Sequence, residues 1–101
     1  EEAYEYLAAA LDQSPESIHL YNRIGIALRK MGKFDTAEKY YLKALEYSND
    51  DPNLYFNVGR LYVDWRQWHN VEKMAAKALK YKPDFQEAKK MLLFARKKQE
   101  Q

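Results

Sequence analysis

The sequence predicts an all-α protein of about six helices, built as a stack of antiparallel helix pairs. Three observations predict it. Segments of the chain recur at an offset of 34 residues, apolar side chains are spaced by three and four, and proline or capping residues separate the apolar runs. Nothing in the chain alternates in the manner of a strand.

The recurrence is dense. At the 34-residue offset Leu20 meets Leu54, Tyr21 Tyr55, Gly25 Gly59, Glu38 Glu72, Lys43 Lys77, Ala44 Ala78, Leu45 Leu79 and Tyr47 Tyr81, with Ile24 and Val58 or Phe34 and Trp68 as conservative pairs. Shifted the other way, Ala3, Tyr6, Ala10, Leu11 and Ser14 fall on Ala37, Tyr40, Ala44, Leu45 and Ser48. The chain is therefore expected to be one domain over 1–101. It comprises the second helix of a partial repeat (1–14), a first full repeat (15–49), a second full repeat (50–83), and a capping helix with its tail (84–101).

Each element follows in order. A first helix is expected near 2–13. A second, near 16–31, opens after Ser14 and Pro15 and buries Tyr21, Ile24, Gly25, Leu28 and Met31. A third, near 35–48, buries Ala37, Tyr40, Tyr41, Ala44 and Leu45. A fourth, near 52–65, starts at Asp51 followed by Pro52, a capping residue and a proline whose missing N–H costs nothing at the first helical position. A fifth lies near 69–81. In the sixth, near 84–98, Ala88, Met91, Leu92 and Ala95 keep an apolar stripe, but Lys89 replaces the tyrosines and Leu93 the glycines, as befits a terminal cap.

Small residues explain the pairing. Glycine inside a helix costs about 1 kcal/mol relative to alanine, so Gly25 and Gly59 mark close helix approach, with Ala37, Ala44 and Ala78 on the facing helices. Tyr21, Tyr41 and Tyr55 fill the space beside them. Gly32 suits a tight turn of positive φ, so Arg66, its counterpart, must take a strained left-handed conformation or a different turn. Val71 and Ala75 stand where Ala37 and Tyr41 stand in the first copy, trading volume between neighbours. Trp65 and Trp68 read as packing residues, with an exposed ligand site as the alternative.

Tyr21, Ile24, Gly25, Gly32, Phe34, Ala37, Tyr41, Ala44 and Leu45 resemble the characteristic positions of the tetratricopeptide repeat. Tyr55, Val58, Gly59, Tyr62, Trp68, Ala78, Leu79 and Pro83 resemble a second copy. The resemblance implies a right-handed superhelical stack, a TPR-type α-solenoid, in which the first helix of each pair lines a concave groove. Some members of that family hold the C-terminal carboxylate of heat-shock chaperones in a clamp of Lys, Asn and Arg. This chain matches the clamp only at Asn57, since Asn22 and Ile26 replace the expected Lys and Asn, and Lys90 and Met91 do not supply the third repeat's pattern. That chaperone is not an expected partner.

Composition narrows the function. Apolar residues make up 47% of the 101 residues, enough for a compact core, and there is no cysteine for a disulfide, thiolate or thiol metal site. No run is apolar enough to span a membrane, and the chain starts at Glu1 inside an apparent helix, as expected of a piece of a larger protein. His19 and His69 have no acidic or thiol companion at ligand spacing, Ser14, Ser17 and Ser48 sit where they cap helices, and the three glycines form no phosphate loop. The expectation is a non-catalytic protein, without cofactor or metal.

Charge is uneven: residues 1–17 hold five acidic and no basic groups, whereas 86–101 carry a net +3. The tail does not interleave aromatic and basic residues, so nucleic acid is not expected. The unpacked faces of the first helices offer Asn22, Arg23, Ile26, Asn53, Phe56, Asn57, Arg60, Lys90 and Phe94 as the candidate partner-binding residues. Donors around a few apolar footholds suit a protein or peptide with acidic groups. The expected function is a protein–protein interaction module in a cytoplasmic scaffold or signalling protein. The alternative is a self-association unit, a homo-oligomer in which the acidic N-terminal end meets the basic C-terminal end.

Overall fold

The computed structural model describes residues 2–15 and 17–101, and only the backbone of Glu2 and Ala3. The described residues form α1 (Glu2–Gln13), α2 (Ile18–Lys30), α3 (Phe34–Tyr47), α4 (Pro52–Asp64), α5 (Trp68–Tyr81) and α6 (Gln86–Gln99), with no strand among them. They divide into two compact units, Glu1–Asn49 with α1 to α3 and Asp50–Gln101 with α4 to α6.

In the first unit the start of α2 departs from expectation. Ser17, not Ser14, is its N-cap: the Ser17 hydroxyl accepts the Leu20 N–H at 3.3 Å. Ser14 still belongs to the end of α1, donating its N–H to the carbonyls of Ala10 and Leu11, and the Tyr21 hydroxyl donates to the Pro15 carbonyl at 2.7 Å. A buried side chain thus holds Pro15 in the connection, where sequence spacing alone placed the helix start. The expected first residue of that helix, Glu16, and the side chain of Ala3 lie outside the described residues. Elsewhere the bounds move by one or two positions. The largest change is at α6, where Phe85, buried and extended, closes a turn onto the Lys82 carbonyl at 3.1 Å and delays the helix to Gln86.

The Asp51–Pro52 start holds as expected. The Asp51 carboxylate accepts the Asn53 N–H at 2.9 Å, and Pro52 is the first helical residue. The α2–α3 and α4–α5 turns are both Schellman closures. Gly32 and Lys33 donate to the carbonyls of Arg29 and Leu28, and Arg66 and Gln67 repeat this with Val63 and Tyr62. Gly32 has φ +77° and Arg66 φ +58°, so the second turn keeps the geometry of the first and Arg66 bears the left-handed strain.

The cores differ in how they fill the space at their helical glycines. In the first unit the fully buried Tyr41 ring lies on Gly25, where an added Cβ would stand 2.7 Å from ring carbon Cζ. In the second unit Ala75 occupies the place of Tyr41, and the Sδ of Met91, from α6, approaches a Cβ position at Gly59 to 2.6 Å. The missing aromatic volume therefore comes from α6 as well as from Val71. Ala37, Ala44 and Ala78 are fully buried, as close packing requires.

Tyr21 stacks on Tyr47 with ring centroids 6.0 Å apart, and Tyr55 stacks on Tyr81 at 5.9 Å, one pair in each unit. Both tryptophans are half-buried packing residues: Trp65 stacks on Tyr62, and Trp68 meets Phe94 edge to face at 5.4 Å. Glu72 of α5 ties down α6 by accepting from Gln99 at 2.8 Å and Arg96 at 3.2 Å. These bonds, that from Gln99 first, hold its carboxyl below the ordinary value.

Two substitutions at equivalent positions are expected to diverge. Gly25→Ala gains about 1 kcal/mol in helix propensity but drives a Cβ into an immobile ring, so the net result is destabilisation, overpacking costing about 1–3 kcal/mol. Gly59→Ala meets the end of a flexible thioether and should be neutral or stabilising. Urea denaturation of the two variants distinguishes them, and equal effects would contradict the account of the two cores. Arg66→Gly should raise the melting temperature by relieving about 1 kcal/mol of backbone strain; a lower melting temperature would mean that the arginine side chain outweighs it.

Candidate functional site

The second unit contains a groove built from two helix faces. α4 contributes Phe56, Arg60, Val63 and Asp64, and α6 contributes Glu87, Lys90, Met91 and Phe94. Both sets follow the three- and four-residue spacing of a single helical face, so two straight helices suffice to make the site. Its volume is about 510 Å³, within the range of specific ligand sites.

The groove has an apolar lining and a charged rim. Met91 is buried and reaches to Gly59, and Val63 is half-buried beside it. Phe56 is braced by Phe85, ring centroids 5.0 Å apart, and Phe94 by Trp68. The Lys98 ammonium lies 5.4 Å from the centre of the Phe94 ring and 5.8 Å from that of Trp68, which further orders this wall. Arg60, Lys90, Asp64 and Glu87 are exposed along the rim, two cations with two carboxylates.

Of the residues selected from the sequence, the structure brings Phe56, Arg60, Lys90 and Phe94 together. Asn53 is exposed at the start of α4 and Asn57 is half-buried on it, both outside the groove lining. Asn22, Arg23 and Ile26 lie on α2 in the first unit, Arg23 exposed and the other two half-buried. Val63 and Met91 were not among the candidates, because an apolar residue at helical spacing reads as core until the facing helix is known.

A second groove, of about 460 Å³, lies in the first unit between Leu11, Tyr21, Thr36, Lys39, Tyr40 and Lys43. None of these was selected from the sequence. The signal was present as a stripe, Thr36, Lys39, Tyr40 and Lys43, along one face of α3. Tyr40 faces Tyr4 across this region, with hydroxyls 3.4 Å apart and rings edge to face. The shared hydrogen bond, then partial burial, pushes the Tyr40 hydroxyl up to about 12.

Among the described residues no group of histidine or acidic side chains is placed to hold a metal, and both histidines are exposed. No described helix is long and apolar enough to cross a membrane.

Residues 19–51 match the tetratricopeptide repeat family. That segment is a tetratricopeptide repeat. It spans α2, α3 and the turn at Gly32, the elements that carry the Gly25–Tyr41 contact. No curated protein matches the chain in sequence. Solved structures do match in fold. The type III secretion chaperone SycD of Yersinia enterocolitica, determined in complex with a peptide of the translocator YopD, superposes with a TM-score of 0.84 at 18% identity, over 97% of this chain and 80% of its own. MamA MSR-1 C2 gives a TM-score of 0.80 at 17% identity over 95% of this chain, which spans 55% of that protein. The repeat fold thus extends beyond the matched segment.

The tyrosine pair sets a pH dependence. A phenol that ionises near 12 when folded and near 10 when unfolded contributes stability that is complete below about pH 10 and is lost as pH rises towards 12. The unfolding free energy should therefore fall over that interval, and Tyr40→Phe should flatten the fall. Identical alkaline profiles for the two proteins would remove the Tyr4–Tyr40 bond as its cause.

Proposed function

We propose that the chain is a non-catalytic protein–protein interaction module and that the groove between α4 and α6 receives a peptide segment of its partner. The observation that carries this reading is the convergence of Phe56 and Arg60 with Lys90 and Phe94 over an apolar floor. A side chain of leucine or phenylalanine size on the partner would enter between the two phenylalanines. A carboxylate beside it would accept from Arg60 or Lys90, while Asp64 and Glu87 disfavour a uniformly acidic ligand. The partner is thus acidic at one place next to an apolar anchor. SycD, which shares the fold, binds a peptide of YopD, and this supports peptide capture as a use of such a fold. Asn53 and Asn57 would extend the contact along α4. Asn22, Arg23 and Ile26 would offer a separate surface on the first unit. The module would serve a larger scaffold in the cytoplasm, with the repeat boundaries given above.

Selection from a displayed random peptide library tests the reading. Enriched peptides should pair an aromatic or aliphatic residue with Asp or Glu. Against such a peptide Phe56→Ala and Arg60→Ala should each weaken binding by about 1–3 kcal/mol with the helical melt nearly unchanged. Lys73→Ala and Lys77→Ala, on α5 and outside the groove, are the controls. If the controls weaken binding as much as the groove variants, the attraction is general charge and the groove assignment fails.

A further inference from the structure

Two exposed helix faces outside the groove carry opposite charges, each flanking an apolar residue. On α1 the exposed residues Glu5, Tyr6, Ala9, Asp12 and Gln13 share one side, with Tyr6 72% exposed. The small Ala9 lies at its centre, and Glu5 and Asp12 stand one turn before and after it. On α6 the exposed Leu93 is bracketed in the same way by Lys89 and Lys97. Leu93 is 64% exposed, and it occupies the register of Gly25 and Gly59, the positions at which α2 and α4 receive a side chain from a neighbouring helix. At this register α6 presents a protruding apolar side chain to solvent.

We infer that this protein associates with itself head to tail, the α1 face Glu5–Ala9–Asp12 of one copy docking on the α6 face Lys89–Leu93–Lys97 of the next. Leu93 enters beside Ala9, where the absence of a large side chain leaves room, and Tyr6 covers its flank. The charges flanking each centre match: Glu5 and Asp12 lie about 10.5 Å apart along their helix axis and Lys89 and Lys97 about 12 Å, so an antiparallel seat brings both pairs together. A second copy is the occupant because both halves of the contact are present in this chain. Residues 1–17 have no basic group to repel α6, and 86–101 are net basic. Such a contact is heterologous, and a dimer retains one unused face of each kind, so association continues past the dimer unless a ring closes. Lys89, Leu93 and Lys97 lie outside the groove lining, so this inference does not depend on the peptide reading.

Sedimentation equilibrium of the intact chain tests it. The average mass should rise with concentration in low salt and fall back towards monomer in high salt. The charge reversals Lys89→Glu with Lys97→Glu, and separately Glu5→Lys with Asp12→Lys, should each weaken self-association at least about tenfold, or about 1.4 kcal/mol, by placing like charges against each other. Mixing the two variants restores opposite charges and should restore association. All four positions are exposed, and circular dichroism confirms that the variants are folded. A wild type that stays monomeric in low salt overturns the inference. So do a variant that associates as the wild type does and a mixture that remains monomeric.

Discussion

The contact on which the first unit depends is that of the Tyr41 ring with the bare Cα of Gly25. A helical glycine is a local loss, and it is offset only if the backbone it exposes is covered at once by something flat and large. Tyr41 supplies that cover and is itself wholly enclosed, so the spacing of α2 and α3 is set by the thickness of one aromatic ring. The Schellman turn at Gly32, with its left-handed residue, reverses the chain between these two helices. The second unit meets the same requirement with different parts: a thioether from α6 for the ring, and a strained arginine for the glycine at the turn.

That difference accounts for what could be read from the residues. The 34-residue offset was legible because small and large side chains must alternate at the same places in each helix pair, whatever else varies. Helix existence followed from it, and so did the choice at residue 66 between a positive φ and a different turn, which the structure resolves as positive φ. Helix starts were less legible. The Ser14–Pro15 signal was overridden by a hydroxyl from a residue six positions on, Tyr21, whose burial decides where its donor is spent. The partner of Gly59 was hidden because Met91 belongs to a helix that has lost the repeat's characteristic residues.

The groove shows the same division. Phe56, Arg60, Lys90 and Phe94 were recognisable as residues on unpacked faces, since helical periodicity tells which side of a helix faces away from its pair. That they meet depends on the angle between α4 and α6, which no single-helix pattern contains. The balanced rim was also beyond reach. Asp64 and Glu87 could be placed on the open faces from their spacing, one turn from Arg60 and Lys90 on their own helices, but that all four share one rim is a property of the assembled pair. A net basic charge over residues 52–101 is thus a poor guide to the field inside the groove.

Met91 belongs to both the core and the groove. Its sulfur covers Gly59, and its side chain forms part of the groove floor. No boundary therefore separates the residues that keep the second unit folded from those that would touch a guest. A guest seated on the floor would press on the same atoms that hold α6 against α4, and any loosening of α6 would erase the floor. Recognition through this groove would be coupled to the integrity of the unit, and changes of specificity through residue 91 would be confined to side chains that can still plug the gap above a glycine.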